Sequence, residues 1–316
     1  MNIEKKLSGQ IKLSIIIVSF NTMDITRDCL RSIYNANWRS KYEIIVVDNN
    51  SQDGSVEMIK REFPEVKLIE NGDNKLFAIA NNQGAHIAKG DYLLLLNSDT
   101  IIAEDNLQKM IDYFDALPDD VICIGPKVLN EDGSVQSCGN IPMGNAWFHV
   151  AKLYGLNKML PLYTIWPELQ TNPQKTHRTG WVSGCCMMIP RNKYIEVGGL
   201  NENLVFYGEE PEFGYRTDKL GYRTMYYAGA YIIHLGGKST ITDEGKSQKS
   251  FEQDIAQYDS LISQTVGNKE AIKITKRTIK SLKIKRLFYS NKDFIDSRIS
   301  HELKVVEYFK RKMMKL

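Results

Sequence analysis

The chain has 316 residues, of which 42% are apolar and 25% charged, and its formal net charge is +3. This composition is typical of a soluble globular protein and excludes a disordered chain, a collagen-like fibre and a small disulfide-stapled domain. The charge is unevenly distributed along the chain. Residues 268–316 hold 15 Lys and Arg against 5 Asp and Glu, so a tail of +10 follows a body of −7.

No apolar run approaches the roughly 20 residues that cross a bilayer, and the first residues, MNIEKKLSGQ, lack the apolar centre of a signal peptide. These features predict a cytoplasmic protein. The cysteines include no Cys-x-x-Cys pair, which argues against a zinc cluster or a disulfide framework. We therefore expect buried free thiols at all five cysteines, which are Cys29, Cys123, Cys138, Cys185 and Cys186.

In residues 1–125, strand-like apolar runs alternate with helix-like segments. Strands are predicted over 13–19, 43–47, 66–69, 92–96 and 121–125, and helices over 22–35, 51–62, 76–88 and 104–116. Ser51 is expected to cap the second of these helices. The alternation predicts an α/β fold with a mostly parallel central sheet, flanked by helices and connected by right-handed crossovers.

The second half of the chain is less regular. Residues 140–178 contain prolines and aromatic residues without a clear period, and they predict a long excursion over the sheet, a kind of loop that is usually functional. Further elements are predicted as a strand over 181–189, helices over 192–197 and 209–220, and strands over 223–227 and 231–234. From about residue 250 the pattern is helical and increasingly basic.

Polar side chains follow three of the predicted strands. In chain order they are Ser19 and Asn21, then Asp48 and Asn50, then Ser98 and Asp99. In a parallel α/β sheet, ligands bind outside the carboxyl ends of the strands, so we expect these side chains to converge on one crevice. Asp48 could accept hydrogen bonds from a base or a ribose, or its segment could be only a turn that caps the next helix.

The segment Asn97-Ser98-Asp99 places two oxygen-bearing side chains two residues apart at a strand end. Hard oxygen ligands suit Mg²⁺ or Mn²⁺, which usually bridge a protein carboxylate and substrate phosphates, although such tripeptides are also common in turns. His234 ends an apolar strand, where a histidine is either a structural residue or a ligand that suits Mn²⁺.

Taken together, these segments resemble a family 2 glycosyltransferase of the rhamnosyltransferase-like group, whose fold is the GT-A-type nucleotide-sugar architecture. One matching segment alone is weakly specific, whereas the ordered set across 225 residues is highly specific. The segments are LSIIIVSFNT (13–22), EIIVVDNNSQDGS (43–55), FPEVKLIENGDN (63–74), FAIANNQGAHIAKGDYLLLLNSDT (77–100), IGPKVLNEDGSVQSCG (124–139), WVSGCCMMI (181–189), VGGLNENLVFYGEEPEFGYR (197–216), LGYR (220–223) and IIHLGG (232–237).

The resemblance implies transfer of a sugar from a nucleoside diphosphate to a glycan or lipid-linked saccharide, in cell-surface polysaccharide biosynthesis. It assigns Asp99 and His234 to a Mg²⁺ or Mn²⁺ ion, and it assigns the catalytic base to the pair Glu209 and Glu210, of which we expect Glu210 to be the base. The implied donor pocket contains Ser19, Asn21, Asp48, Asn50, Asn81 and Ser98, and the implied acceptor side contains Trp181 and Gly184.

The resemblance also divides the chain. It implies a glycosyltransferase domain over 1–240, with a nucleotide-binding half (1–125) and an acceptor and catalytic half (126–240). A basic helical extension over 241–316 follows. The tail of this extension interleaves Lys and Arg with apolar residues at partly helical spacing, which predicts contact with an anionic membrane surface. Packing on the acidic body or at a homodimer contact is the alternative, and no motif supports nucleic-acid binding.

The chemistry of such an enzyme is a single displacement that inverts the anomeric centre. A carboxylate removes the proton of the incoming hydroxyl, and a divalent ion with a helix N-terminus neutralises the departing diphosphate. Three residues depart from the family pattern. Glu210 stands where aspartate is usual, Pro211 follows it and favours a helix start there, and Leu76 replaces a glycine, which could narrow the donor pocket.

Two other classes of function use a similar sheet. A nucleotide-dependent oxidoreductase would have Gly-x-Gly-x-x-Gly after the first strand, where this chain has SFNT. A nucleotide-sugar-binding protein without catalysis would keep the donor pocket while Glu210 has lost its role. The sequence does not distinguish rhamnose from another hexose as the transferred sugar.

Overall fold

The computed structural model describes residues 10–137, 139–140, 172–204, 208–236, 267–286 and 292–314. Most of the excursion predicted over 140–178, residues 241–266 of the predicted extension, and Cys138 lie outside the described residues. The other four cysteines are buried and free, as predicted, and burial raises the pKa of the Cys29 thiol to about 12.

The described residues form ten strands and eight helices. The strands are β1 (Leu13–Ser19), β2 (Tyr42–Asp48), β3 (Lys67–Glu70), β4 (Tyr92–Asn97), β5 (Thr100–Ile101), β6 (Val121–Leu129), β7 (Val135–Ser137), β8 (His177–Thr179), β9 (Cys186–Pro190) and β10 (Arg223–His234). The helices are α1 (Met23–Asn35), α2 (Ser55–Glu62), α3 (Leu76–Ile87), α4 (Asn106–Asp115), α5 (Arg191–Glu196), α6 (Glu209–Lys219), α7 (Asn268–Arg286) and α8 (Lys292–Met314).

The ten strands described belong to one sheet. Its order is β3-β2-β1-β4-β9-β6-β10-β5, with β7 beside β6 and β8 beside β10. Strands β1 to β4 are parallel, β6 and β10 are parallel, and β9 runs antiparallel between β4 and β6. Six strands therefore share one direction, which confirms the prediction of a mostly parallel sheet. Because β9 runs the other way, it begins at the edge of the sheet where β4 ends.

Apolar side chains cover both faces of the sheet. In β1, Leu13, Ile15 and Ile17 pack in the cluster that includes α1, α2 and α4, whereas Ile16 packs in the cluster that includes α3, α5 and α6. Successive side chains of a strand point to opposite faces, so a strand buried on both sides needs an almost continuous apolar run. This is the physical reason for the run that predicts β1.

Ser51 does not cap α2, and that prediction is wrong. The helix begins four residues later, at Ser55, after Gly54 with a φ of 86°. The Oδ1 atom of Asp53 accepts hydrogen bonds from the amide and the hydroxyl of Ser55, at 3.1 and 2.6 Å. The aspartate and the glycine therefore start the helix, and Ser51 belongs to the preceding loop.

Three predicted strands have different bounds. The strands predicted over 223–227 and 231–234 are one strand, β10, whose register against β6 shifts between Tyr227 and Tyr231. Glycine suits this irregularity, since a Cβ at Gly229 would lie 2.4 Å from the ring of Tyr227. The strand predicted over 181–189 begins only at Cys186. The short strands β5, β7 and β8 are not predicted, because two or three residues carry no period.

The described part of the tail forms the helices α7 and α8, which pack against each other. Their shared apolar cluster consists of Ile272, Ile279, Leu282, Ile299 and Val306. The guanidinium of Arg286 binds both carboxylate oxygens of Asp296, at 2.5 and 2.8 Å, and so ties the end of α7 to α8. Among the described helices, none has the length and apolar character that crossing a bilayer requires.

Candidate active site

The loop after β2 is organised by the carboxylate of Asp48. Asp48 is 1% exposed, and its two oxygens accept hydrogen bonds from the amide and the hydroxyl of Ser51, at 2.8 and 2.6 Å. The Ser51 hydroxyl also accepts a hydrogen bond from the backbone N–H of Asn21, at 2.9 Å. Asp48 thus forms a tight turn and, through Ser51, connects the loops at the carboxyl ends of β1 and β2.

Asn21 and Asn50, both assigned to the donor pocket, have left-handed backbones with φ of 53° and 69°, a conformation that asparagine tolerates. Their side-chain oxygens accept hydrogen bonds from the backbone and the side chain of Gln52, at 2.7 and 3.1 Å. Ser19 differs, since it is fully buried and its hydroxyl lies 3.2 Å from that of Thr26. Ser19 therefore supports the loop from the interior.

Asn81 and its neighbour Asn82 have different partners. Asn81 is 1% exposed, and its amide donates to the carbonyl of Phe77 in the same helix, at 2.9 Å. The Asn82 side chain donates to the carbonyl of Leu200 and accepts from the Leu200 amide and the Tyr194 hydroxyl, at 2.9, 3.0 and 2.5 Å. Sequence reasoning misses this role of Asn82, because two adjacent asparagines in a helix do not reveal which one faces a neighbouring segment.

The first residue of α3 is strained. Leu76 has a φ of 65°, which disfavours residues other than glycine by about 1–2 kcal/mol. Its amide donates to Oδ1 of Asn74 at 2.9 Å, and its carbonyl accepts from Nδ2 of Asn49 at 3.4 Å. This is the position where the resemblance expects a glycine, which adopts positive φ freely. Such strain persists where neighbours enforce it, often at functional sites.

We expect Leu76→Gly to be more stable than Leu76→Ala by about 1 kcal/mol, because only glycine relieves the left-handed strain. The free energy of unfolding, measured with denaturant, tests this difference. Glu104, with a φ of 52°, should show the same order. Arg31, exposed within α1, should show the ordinary helical order, in which alanine is better by about 1 kcal/mol. If Leu76→Ala were more stable than Leu76→Gly, the backbone strain inferred at position 76 would be contradicted.

The candidate metal ligands meet beyond the end of β4. The antiparallel pairing of β10 with β5 sets His234 opposite Thr100, so that Nε2 of His234 lies 3.1 Å from Oδ1 of Asp99. Asp99 is fully buried and Ser98 is 2% exposed. The side-chain nitrogen of Asn97 lies 3.4 Å from the same histidine nitrogen. The structure therefore brings together the two residues that the resemblance assigns to a metal ion.

The spacing of this pair fits one divalent ion. Two ligand atoms bound at about 2.1 Å in adjacent octahedral positions lie about 3 Å apart, close to the 3.1 Å observed. No group of three or more His, Cys, Asp or Glu in the described part of the chain is placed to hold a metal. An ion here would therefore need further ligands from water or from substrate phosphates, which is the usual binding mode of Mg²⁺.

The acidic pair occupies the start of α6. Gly208, with a φ of 113°, precedes the helix, and Glu209, Glu210 and Pro211 are its first three residues, which confirms the predicted helix start. The N-terminal end of a helix stabilises carboxylates, but burial opposes ionisation. Burial raises the pKa of Glu209 to about 7; its own backbone hydrogen bond lowers this pKa, and the charge of Glu210 raises it.

Glu210 contacts the segment that contains Trp181 and Gly184. Its Oε1 atom accepts a hydrogen bond from the amide of Gly184 at 2.8 Å. Burial raises the pKa of Glu210, and this hydrogen bond opposes the rise. A Cβ at position 184 would lie 2.2 Å from that oxygen, and a Cβ at Gly214 of α6 would lie 2.9 Å from Cβ of Trp181. Two glycines thus let α6 approach this segment closely.

A single peptide segment connects Glu210 with the candidate metal ligands. Gly184 binds Glu210, and the carbonyl of the next residue, Cys185, accepts a hydrogen bond from the backbone N–H of Asn97 at 3.0 Å. Burial is the main cause that raises the pKa of Cys185 to about 12, and the charges of Glu210 and Asp99 both add to it. The candidate base and the candidate metal ligands therefore lie at the same edge of the sheet, around the start of β9.

Sequence reasoning misses one neighbour of the metal pair. Oε1 of Gln136 lies 2.7 Å from Nδ1 of His234, although the two residues are 98 positions apart. They meet because β7 and β10 flank β6 on opposite sides. No sequence signal indicates this, since β7 has only three residues.

Comparisons with known proteins show what the chain is similar to. Residues 14–198, more than half of the chain, match the family model described as "Glycosyl transferase family 2". The chain is 25% identical over 215 residues to the N-acetylglucosaminyl-diphospho-decaprenol L-rhamnosyltransferase of Mycobacterium tuberculosis, covering 63% of this chain and 68% of that one. It is 25% identical over 209 residues to the low-salt glycan biosynthesis hexosyltransferase Agl10 of Haloferax volcanii, covering 65% and 61%.

Two solved structures share the fold. The mannosyltransferase PcManGT of Pyrobaculum calidifontis, in complex with GDP-Man and Mn²⁺, matches with a TM-score of 0.56 and 13% identity over 94% of this chain and 86% of that one. GalNAc-T7 with UDP, GalNAc and Mn²⁺ matches with a TM-score of 0.57 and 19% identity over 80% of this chain and 48% of that one. These likenesses confirm the predicted GT-A-type fold.

Proposed function

Because the chain belongs to glycosyl transferase family 2, we propose that it is an inverting enzyme that moves rhamnose or another hexose from a nucleoside-diphosphate sugar to a glycan or lipid-linked saccharide. Glycosyl transfer itself follows from the family. The acceptor class is supported by the names of two relatives, one acting on a decaprenol-linked sugar and one in glycan biosynthesis. We place the reaction in cell-surface polysaccharide biosynthesis, on the cytoplasmic side of the membrane.

The observation that carries this proposal is the placement of Glu210 against Gly184, next to the Asp99–His234 pair. A glycosyl transfer needs a carboxylate at the attacking hydroxyl and positive charge at the leaving diphosphate. Two hydrogen bonds, from Gly184 to Glu210 and from Asn97 to Cys185, supply a short rigid connection between the proposed base and the proposed metal ligands. A nucleotide-dependent oxidoreductase, considered from the sheet alone, has no use for this arrangement.

We propose that Asp99 and His234 hold Mn²⁺ or Mg²⁺. The 3.1 Å spacing of their ligand atoms supports this, as do the two structural neighbours, whose structures contain Mn²⁺. When bound, the ion would neutralise charge on the diphosphate of the donor. An imidazole ligand favours a transition ion such as Mn²⁺ over Mg²⁺, because Mg²⁺ prefers oxygen.

The other assigned residues bind and orient the reactants. Asp48, Asn21 and Asn50 form the rigid edge at which the nucleoside would bind, while the buried Ser19, Asn81 and Ser98 support it from the interior. Trp181 and Gly184 form the acceptor side. Glu210, held by the Gly184 amide through Oε1, accepts the proton of the acceptor hydroxyl as that oxygen attacks the anomeric carbon. Glu209 is its neighbour and the alternative base.

A thermal-shift screen of UDP-, GDP- and dTDP-sugars with Mn²⁺, followed by an assay for release of the nucleoside diphosphate, tests the function. We expect one nucleotide class to stabilise the protein and to be released only when an acceptor is added. Stabilisation without release in the presence of lipid-linked and free glycan acceptors would favour the non-catalytic binding protein. No stabilisation by any nucleotide sugar would contradict the proposal.

We further propose that residues 1–240 form the catalytic domain and that the extension, 241–316, places it at a membrane. The apolar side of α7 packs against α8, so these side chains are not available for insertion into a bilayer. One stripe of α7, however, carries exposed lysines at helical spacing, namely Lys269, Lys273, Lys276, Lys280 and Lys283. This lysine stripe is about 21 Å long at 1.5 Å per residue and suits anionic headgroups.

Replacing Lys269, Lys276, Lys280 and Lys283 together by Gln should reduce binding to phosphatidylglycerol-containing vesicles by on the order of a thousand-fold, because each surface lysine contributes about 1 kcal/mol. Flotation with these vesicles and with pure phosphatidylcholine measures the effect. A matched control replaces four exposed lysines of the body, Lys60, Lys89, Lys175 and Lys219. Equal flotation of both variants would contradict the proposed role of the lysine stripe in membrane binding. If the wild-type protein stays unbound but forms a dimer, the packing alternative is favoured.

A further inference from the structure

The imidazole of His234 is held at both nitrogens. Nε2 faces Asp99 at 3.1 Å, and Nδ1 faces the side-chain oxygen of Gln136 at 2.7 Å. The β6–β7 hairpin carries Gln136, whose exposed side chain crosses β6 to reach the end of β10. Which nitrogen of His234 carries the proton depends on which end of the Gln136 amide points toward it.

A chain of hydrogen bonds in the hairpin fixes that orientation. The hydroxyl of Ser134 donates to Oδ1 of Asp132 at 2.6 Å, and the hydrogen bonds from Ser134 keep the pKa of Asp132 low, so this carboxylate only accepts. The Ser134 oxygen must then accept from Nδ2 of Asn130, at 2.8 Å. The Asn130 oxygen, in turn, accepts from Nε2 of Gln136 at 2.9 Å.

This order leaves the oxygen of Gln136 toward His234, so Nδ1 is the nitrogen that donates. In the neutral ring, Nε2 then presents a lone pair to the Oδ1 atom of Asp99. Two acceptor atoms 3.1 Å apart repel each other unless a proton or a metal ion lies between them, and this spacing also suits a divalent ion. Histidines that bind metals almost always donate their other N–H to an oxygen in this way.

We propose that Gln136, oriented by Asn130, Ser134 and Asp132, is a positioning residue that fixes His234 in its Nδ1–H form and thereby presents Nε2 to the divalent ion. This proposal rests on the metal site of the proposed function. The contribution of Gln136 is the orientation of the ligand His234. Loss of such a partner typically weakens metal binding by about 10–100-fold.

The test compares Gln136→Leu, which has no acceptor, with Gln136→Glu, which keeps an oxygen for Nδ1–H. Mn²⁺ affinity is measured by the electron paramagnetic resonance signal of free Mn²⁺. We expect a loss of about 10–100-fold in Gln136→Leu and affinity near that of the wild type in Gln136→Glu. Gln174→Leu, which removes an exposed amide that accepts from Lys127 at 3.1 Å, should have no effect.

A second measurement needs neither metal nor activity. At a pH where the imidazole is neutral, the nitrogen chemical shifts of His234 in metal-free protein should report the Nδ1–H form in the wild type and Gln136→Glu, and a larger share of Nε2–H in Gln136→Leu. Ser134→Ala, which interrupts the hydrogen-bond chain at a distance, should shift the balance in the same direction. Unchanged shifts and unchanged Mn²⁺ affinity in Gln136→Leu would overturn the proposal.

The two measurements also separate this proposal from the one on which it rests. If the shifts respond to Gln136 but the wild type does not bind Mn²⁺, the metal site of the proposed function fails and the orienting role stands. If Mn²⁺ binds tightly and its affinity is the same in the wild type and in Gln136→Leu, the metal site stands and the orienting role fails.

Discussion

Replacing Asp99 by Asn should reduce sugar transfer by on the order of a thousand-fold and leave the fold intact. A divalent ion stabilises the developing charge of the leaving diphosphate by several kcal/mol, and each 1.36 kcal/mol is a factor of ten in rate. Asparagine has the shape of aspartate and can donate a hydrogen bond to Nε2 of His234. The buried position, fully inaccessible in the wild type, therefore stays filled and paired.

The measurement is nucleoside-diphosphate release by wild type and variant, with Mn²⁺ and with EDTA. Mn²⁺ should raise the melting temperature of the wild type but not of Asp99→Asn, because only the wild type binds the ion. Asp105→Asn is a suitable control, since Asp105 lies at the start of α4 and its carboxylate pairs with Lys109 at 2.7 Å. Full activity of the wild type in EDTA would refute the metal assignment.

The parts of the site that lie at strand ends are predictable from sequence, and the reason is geometric. Asp48 and Asp99 each follow a buried apolar run, and parallel strands bring their carboxyl ends to one edge of the sheet. The sequence also indicates a helix start at Glu209 and Glu210, because Pro211 suits only the first turn. These residues are located by rules that act over a few positions.

The contacts between these parts are not predictable in the same way. Gly184 meets Glu210, and Gln136 meets His234, because β9 is inserted antiparallel between β4 and β6 and because β7 is added beside β6. No local pattern shows where a strand enters the sheet.

Ser51 illustrates a different limit. Serine and aspartate are both good caps, so a segment with Ser51, Asp53 and Ser55 offers several helix starts, and only tertiary contacts choose between them.

The β9 insertion also explains why the segment that binds Glu210 lies beside Asn97. Its first residue, Cys186, pairs with Leu96, which sets the turn at Gly184 and Cys185 beside Asn97. The amide of Gly184 then points at Glu210 while the carbonyl of Cys185 accepts from Asn97. A displacement of this turn would move the proposed base and the proposed metal ligands relative to each other, and this makes Gly184 a sensitive position.

We expect Gly184→Ala to abolish most of the activity without unfolding the protein. A Cβ at this position would lie 2.2 Å from Oε1 of Glu210, so the carboxylate must move away and the hydrogen bond from the amide is lost. Position 184 does not have a positive φ, so its backbone accepts alanine. Since a general base contributes about 10²–10⁴-fold, Gly184→Ala should approach the loss expected for Glu210→Gln, and Glu209→Gln should lose less.

The pH dependence distinguishes the two glutamates. Burial raises the pKa of Glu210, so kcat/KM should rise with pH through a value above the ordinary 4.5 of glutamate, and Glu210→Gln should lack this rise.

Glu209, with a pKa of about 7, binds its proton more tightly in the folded than in the unfolded state. The free energy of unfolding should therefore fall as pH rises from about 4.5 to about 7, and Glu209→Gln should flatten that fall. If Glu209→Gln instead loses the activity and its pH-dependent rise while Glu210→Gln retains both, Glu209 is the base.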